Sequence, residues 1–488
     1  MIEEKVKINN RFSVEIKLSY LARKKKRISE FAVNTWIFIP NSLDINPLNY
    51  DKKDFYRDLK THTRLFTPVF LLRDIASADN SPLRQLESAF RHLASEPTRT
   101  NQAQYEHHIK MFQSILKSAL RDETNHIIYQ ARPEDRNELV MSLLESLSKI
   151  TKAYRSLRSV INVPTVGQQL QNYYRFGDEF MGNITEQHCF RLLRLFSPPG
   201  VPVQGETALK IMEFIEAETQ YKEAAGYHIA SEKSNDNNRE MIHRLGFLKK
   251  YIEDVLFLFT TKKKDGQITE QVYFSIAAGI SMVFATAIAF SFQQKYGNLT
   301  MPFFVALVVS YMLKDRIKEL GRYYFAHRLG RSYFDNKTSI SLNDNIIGWS
   351  KEAVDFIAEN KVPKDALKLR GRSDILQANN RIHNEKIILY RKLIRLNRKS
   401  LDRCGNYFFA GINDIIRLNV ASFVHKMDNP EFYLFVSQHD HRYDIIDGEK
   451  VYFLNLVMQL KSEEEERYHR YRITFNRNGI FNLESFET

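Results

Sequence analysis

Cysteine is nearly absent. The 488 residues include two, Cys189 and Cys404, far apart and without partner spacing. That excludes a disulfide framework and a thiolate metal site, and it fits a reducing compartment, with each thiol acting as a small apolar side chain. Tryptophan is equally scarce, with two residues, although Phe and Tyr number 34 and 24. No signal-peptide pattern opens the chain: positions 12–18 alternate apolar with polar, and the basic run 23–27 follows instead of preceding an apolar stretch. The phosphate loops GxxxxGK[ST] and GxGxxG, the hydrolase elbow GxSxG, HExxH and CxxC are all missing. Mean hydropathy is −0.41, which excludes a polytopic transporter. Any membrane segment is therefore a small minority of the chain.

Charge is abundant everywhere except one place. The net charge is +13, yet residues 271–294 carry none, and within them 272–292 read VYFSIAAGISMVFATAIAFSF. At roughly 1.5 Å per residue that stretch reaches about 31 Å, the thickness of a bilayer core. A second uncharged run, 296–313, reads YGNLTMPFFVALVVSYML and reaches about 27 Å. Two membrane spans are the expectation. Lys262, Lys263 and Lys264 precede the first, and Lys314, Arg316, Lys318 and Arg322 follow the second, whereas the connection offers only Lys295. By the rule that basic residues stay on the cytosolic side, both termini are expected in the cytosol, and these seven residues are expected to face anionic headgroups. Small residues recur every fourth position, as Ala277, Ser281, Ala285 and Ala289 in the first run and Ala306 and Ser310 in the second. Such a stripe lets two helix backbones pack closely in lipid, although an Ala-rich helix would carry one by composition alone.

The flanking regions read as an α+β protein in five parts. Residues 1–75 hold two strand-like segments, 11–21 and 31–39, expected as a loose hairpin around ARKKKRISE, and a connecting stretch. Residues 76–265 have helical periodicity, with five to seven helices expected in a bundle. The membrane hairpin occupies 271–313. Residues 314–430 read as basic helices, with 350–360 and 373–427 helical and a polar linker at 335–345. From 431 to 488 the period changes to two, predicting a meander of about four antiparallel strands. A two-stranded hairpin is marginal alone in water, so residues 11–40 and 431–486 are expected to form one β module, or else the hairpin packs on the bundle.

Three polar constellations compete for chemistry. Glu123/His126 and Glu240/His243 repeat the Glu-x-x-His spacing of di-metal bundle sites, with Glu145 and Glu216 on neighbouring helices. His439-Asp440-His441 offers metal-type ligands in a loop, and Glu106-His107-His108 lies at a helix start. Chance spacing and solvated faces account for all three, so no metal or other cofactor is expected. The basic clusters carry more weight, and they favour a lipid surface over an acidic protein, with nucleic acid the least favoured partner. The sequence thus predicts an integral membrane protein whose cytosolic domains act as interaction or sensor modules, with a protein partner or a second copy bound. The alternatives are a membrane-surface enzyme with an unrecognised site and an effector whose oligomerised hairpins perturb the bilayer.

Overall fold

A computed structural model describes the chain except residues 78–80, 232–233, 298–299, 325–332, 343–344, 373–384, 404, 439–441 and 487–488. The chain opens with β1 (Ile2–Asn10), β2 (Ser13–Leu21), β3 (Ile28–Ile39), α1 (Lys52–Asp58) and β4 (Leu59–Leu65). Helices follow: α2 (Asp74–Ser77), α3 (Pro82–Ser95), α4 (Arg99–Tyr129), α5 (Arg136–Ser156), α6 (Arg158–Ile161), α7 (Gln168–Phe196), α8 (Glu206–Ala224) and α9 (Asn235–Glu253). Next come β5 (Phe259–Lys264), α10 (Gln267–Tyr296), α11 (Met301–Tyr324), β6 (Asn336–Leu342), β7 (Asn345–Ile357) and α12 (Lys364–Arg370). The remainder is mostly strand: β8 (Lys386–Asn397), β9 (Gly411–Asn419), β10 (Glu431–Gln438), β11 (Arg442–Glu449), β12 (Tyr452–Ser462), β13 (Glu466–Asn476) and β14 (Gly479–Phe486). The class is mixed α+β, and the residues divide into two compact units.

The first unit comprises Met1–Thr63, Leu258–Gly405 and Gly411–Thr488. Its larger sheet has eight strands in the order β14-β13-β12-β3-β8-β7-β6-β5, and its smaller one four, in the order β1-β2-β9-β4. The sheets meet face to face: Ile16 and Leu18 of β2 and Ile416 and Leu418 of β9 share one apolar space with Val33, Ile37 and Leu456 of the larger sheet, leaving a void of only about 20 Å³. Strands β10 and β11 form a separate two-stranded ribbon.

Several expectations fail here. Residues 11–21 and 31–39 do not pair with each other. Strand β2 instead turns back on β1, whose charged sequence IEEKVKINN hides a strand, and β3 lies in the other sheet. There β3 runs antiparallel to β12, with Trp36 opposite Val457, so segments from both ends of the chain share one sheet. Residues 345–357, 386–397 and 411–419 are strands, not helices. In β8 the spacing of Leu389, Leu393 and Leu396 imitates a helix because apolar residues occur on both faces, one buried and one half-covered. The β-branched Ile387, Ile388 and Ile394 and the inward alternation of Tyr390, Lys392, Ile394 and Leu396 fit a pleated strand. Arg381 and Ile382, also assigned to that helix, lie outside the described residues. The polar stretch at 335–345 contains β6, and the expected four-stranded C-terminal meander is instead five strands in two sheets: β10 and β11 pair only with each other, and β12, β13 and β14 run consecutively in the larger sheet.

The second unit comprises Arg64–Phe257 with the short loop Asn406–Ala410. Its helices begin at readable signals: Ser81 accepts the Arg84 N–H at 3.2 Å with Pro82 in the first turn of α3, and Thr98 caps α4 in the same manner. A ladder of rings joins α4, α5 and α7, with Tyr154 stacked 5.2 Å from Tyr174 and 5.6 Å from Phe112. Helix α9 stops at Glu253, so the helical stretch expected to run to residue 265 ends early, and Phe259–Lys264 form β5.

Candidate membrane anchor

Strand β5 leads through Gly266 directly into α10. Gly266 has a positive φ of 70°, and a Cβ there would lie 2.7 Å from the Tyr333 ring, so this junction needs glycine. Helix α10 then runs without interruption across the whole uncharged stretch, and Gly297, with φ of 78°, ends it. Pro302 stands in the first turn of α11, where its missing N–H costs nothing.

Packing between these helices is inverted relative to a water-soluble pair. The buried residues of α10 and α11 are Ser281, Ala306 and Ser310. Large apolar side chains point outward: Ile280, Met282, Val283, Phe290, Phe304 and Met312 are each at least 59% exposed. Of the small-residue stripe, Ala277, Ala285 and Ala289 are half-buried on the same side of α10 as Ser281. Ala277 meets Gly321 of α11 so closely that a Cβ on that glycine would lie 2.8 Å away. The hydroxyls need no water: Ser281 donates to the Ala278 carbonyl at 2.8 Å, Thr286 to Met282 at 2.8 Å and Ser310 to Leu307 at 3.0 Å.

By length and composition α10 can cross a membrane, and only 11% of its most apolar window is buried. Among the described residues it is the one helix that meets this standard. The second run does not. Helix α11 begins at Met301, so its uncharged part ends after about 20 Å, at Leu313. It continues unbroken through Lys314, Arg316, Lys318 and Arg322 to Tyr324, where a span followed by a separate basic helix was expected. Arg322 lies with its guanidinium 5.2 Å over the Phe274 ring, so the charged half of α11 rests beside the first turns of the apolar stretch of α10.

The basic residues flank the pair as follows. Lys262, Lys263 and Lys264 are exposed on β5. The Lys262 ammonium sits 4.5 Å over Tyr56, and Lys264 reaches Glu270 at 2.7 Å. Lys314 lies 3.7 Å over the Tyr311 ring, Arg316 is exposed and Lys318 half-exposed.

The metal constellations do not assemble. Glu145, Glu216, Glu240, His126 and His243 are exposed, and among the described residues no three His, Cys, Asp or Glu converge as a metal site. His439-Asp440-His441 and Cys404 lie outside the described residues. Burial pushes the Cys189 thiol up to about 12, leaving it inert.

Sequence reasoning missed two buried charge centres. In the first unit, the Lys392 ammonium sits between Glu352 at 2.8 Å and Asp414 at 2.5 Å, all three at most 5% exposed. Burial alone would lower the lysine pKa, but the two carboxylates outweigh it and hold it above the ordinary value. In the second unit Arg155 binds Glu218 through two bonds of 2.9 and 2.7 Å and approaches Asp178 at 3.3 Å. Asp178 also accepts from Tyr221 at 2.7 Å and Tyr227 at 2.9 Å. No family model, curated protein or solved structure matches this chain.

Proposed function

We propose that this protein is a membrane-anchored scaffold, held in the cell membrane by α10 with α11 folded against it, whose β-sandwich and helical bundle present binding surfaces on the cytosolic side. The observation that carries this reading is the inverted packing of the helix pair. Water would leave a long apolar surface uncovered there, far beyond the few hundred Å² that soluble proteins tolerate, whereas lipid covers it without cost. The basic residues at both outer flanks support a cytosolic position for both termini and contacts with anionic headgroups. Reporters fused at either terminus are expected to read cytosol, and one inserted after Lys295 the opposite side. A terminal reporter on the far side overturns the orientation.

One observation favours a second reading, an effector that perturbs the bilayer. The uncharged depth common to both helices is about 20 Å, short of the roughly 30 Å of a bilayer core. Arg322 lies at the level of Phe274 and Gly321 at that of Ala277, so Lys318 and Lys314, about one and two turns nearer the connection, stand deeper along α10, and the three thin the bilayer locally or draw water to their depth. Dye release from vesicles containing the full chain, lost on converting these three to leucine, supports this reading, and tight vesicles exclude it.

A further inference from the structure

The ribbon β10–β11 is exposed along nearly its whole length. Every residue of β10 is exposed, and all of β11 but one. Its register sets Leu434 opposite Ile446 on one face and Phe435 opposite Ile445 on the other. Phe432 and Val436 extend the first apolar face, and Tyr433 and Tyr443 the second. Phe435 is 70% and Tyr443 72% exposed. A strand apolar on both faces is the pattern of one covered on both, and an isolated two-stranded ribbon is marginal in water. The ribbon is also acidic within a chain of net charge +13. Glu431 faces Glu449 directly across the strands, Asp447 lies beside them, and none of the three makes an ion pair among the described residues. Like charges placed opposite each other destabilise a strand pair, so this end calls for cations.

The complementary surface is the open edge of the eight-stranded sheet. Strand β5 ends the strand order, and all of its residues are exposed, so its outer backbone groups are offered to another strand. It carries Lys262, Lys263 and Lys264. Phe259 lies opposite Ser341, which in turn lies opposite Ile346, forming one row across the sheet. Phe259 and Ile346 are 69% and 63% exposed, which leaves an apolar step at that edge. Lysines on an edge strand repel indiscriminate pairing, and an acidic strand with apolar faces turns the same lysines into a means of selection. Within one chain β5 and β11 are not paired.

We infer that the ribbon docks on a second copy of this chain, with β11 adding to the β5 edge so that Asp447 and Glu449, two residues apart on one face, meet Lys262 and Lys264, which share that spacing. The outer N–H and C=O groups of both strands become paired, and an apolar ribbon face meets the Phe259–Ile346 row. Because the two surfaces differ, the contact is head-to-tail, and it closes into a ring or propagates along the membrane. The inference deepens the scaffold reading by naming the partner, and it rests on that reading only in that both copies share one membrane.

The test uses full-length chains with Cys404→Ser, two affinity tags, and Lys263→Cys on one chain and Asp447→Cys on the other, treated with a short bismaleimide in detergent and in vesicles. A mixed-tag dimer from Lys263→Cys with Asp447→Cys, and none from Lys263→Cys with itself, is expected. Adding Lys262→Glu and Lys264→Glu to the Lys263→Cys chain lowers the dimer yield by roughly tenfold, and an Asp447→Cys partner that also carries Glu449→Lys restores it. Dimers of Asp447→Cys with itself show ribbon-to-ribbon contact and overturn the proposal, as does the absence of any dimer. Cross-linking in detergent does not depend on insertion, so its failure leaves the anchor reading standing. A chain that cross-links but washes off membranes loses the anchor alone.

Discussion

The two units bury charge by opposite routes. In the sandwich a single cation, Lys392 on β8, answers Glu352 on β7 and Asp414 on β9, which belongs to the other sheet. In the bundle the charges are spread over α5, α7, α8 and α9, and two tyrosines, Tyr221 and Tyr227, share the load with Arg155, Arg244 and the carboxylates. The first arrangement has no redundancy, and removing its one cation strands two carboxylates in a dry interior. Lys392→Met is therefore expected to cost about 3–5 kcal/mol, the range for leaving a buried charge unpaired. Trp36 and Trp349 both lie in the sandwich unit, so their emission reports its unfolding separately from the helical ellipticity of the bundle. A melt in which both signals move together and equally would break the contrast.

Acid sharpens it from the other side. In the bundle, burial lowers the His108 and His188 pKa from 6.5 to about 4, with neighbouring positive groups acting in the same direction. The unfolded chain takes up these protons first, so their contribution is full above about pH 6.5 and is lost as pH falls toward 4. Going from about pH 7.5 to 5.5 costs on the order of 1.5 kcal/mol per histidine. The ellipticity melt is expected to shift down over that window, and His188→Phe to flatten the shift. A smaller effect comes from Gly177, where a Cβ would lie 2.3 Å from the Tyr154 hydroxyl and 2.9 Å from Ile109. Gly177→Ala is expected to destabilise the bundle by about 1–3 kcal/mol, leaving tryptophan emission unchanged.

Legibility followed the same divide. The bundle is nearly one continuous segment, so its apolar periodicity, caps and breaks act over a few residues and can be read from the chain. The sandwich joins three segments, and β3 lies between β8 and β12, partners hundreds of positions away. Nothing local in ISEFAVNTWIFI names them. Strand β8 misled because apolar residues on both faces of a strand also satisfy helical spacing. The candidate anchor was half legible: composition marked α10 as long and apolar enough to cross a membrane, but the unbroken passage of α11 through Lys314 depends on its packing against Phe274 and Ala277.

The smallest expected effect lies in the proposed anchor. Replacing Ser281 and Ala285 with Leu fills the face turned to α11 and is expected to weaken that contact by about 1 kcal/mol. Proteolysis between residues 296 and 301, followed by co-purification of the two halves, would show it as reduced recovery.

Retention in the membrane tests the central claim most directly. Membranes carrying the full chain, washed with alkaline carbonate and floated on a density gradient, are expected to keep it in the lipid fraction. A variant with Ile276, Ile280, Val283 and Phe290 all changed to Ser is expected to enter the soluble fraction, because the apolar surface that lipid covers would be gone. Release of the unaltered chain by carbonate, folded and monodisperse, would contradict the account.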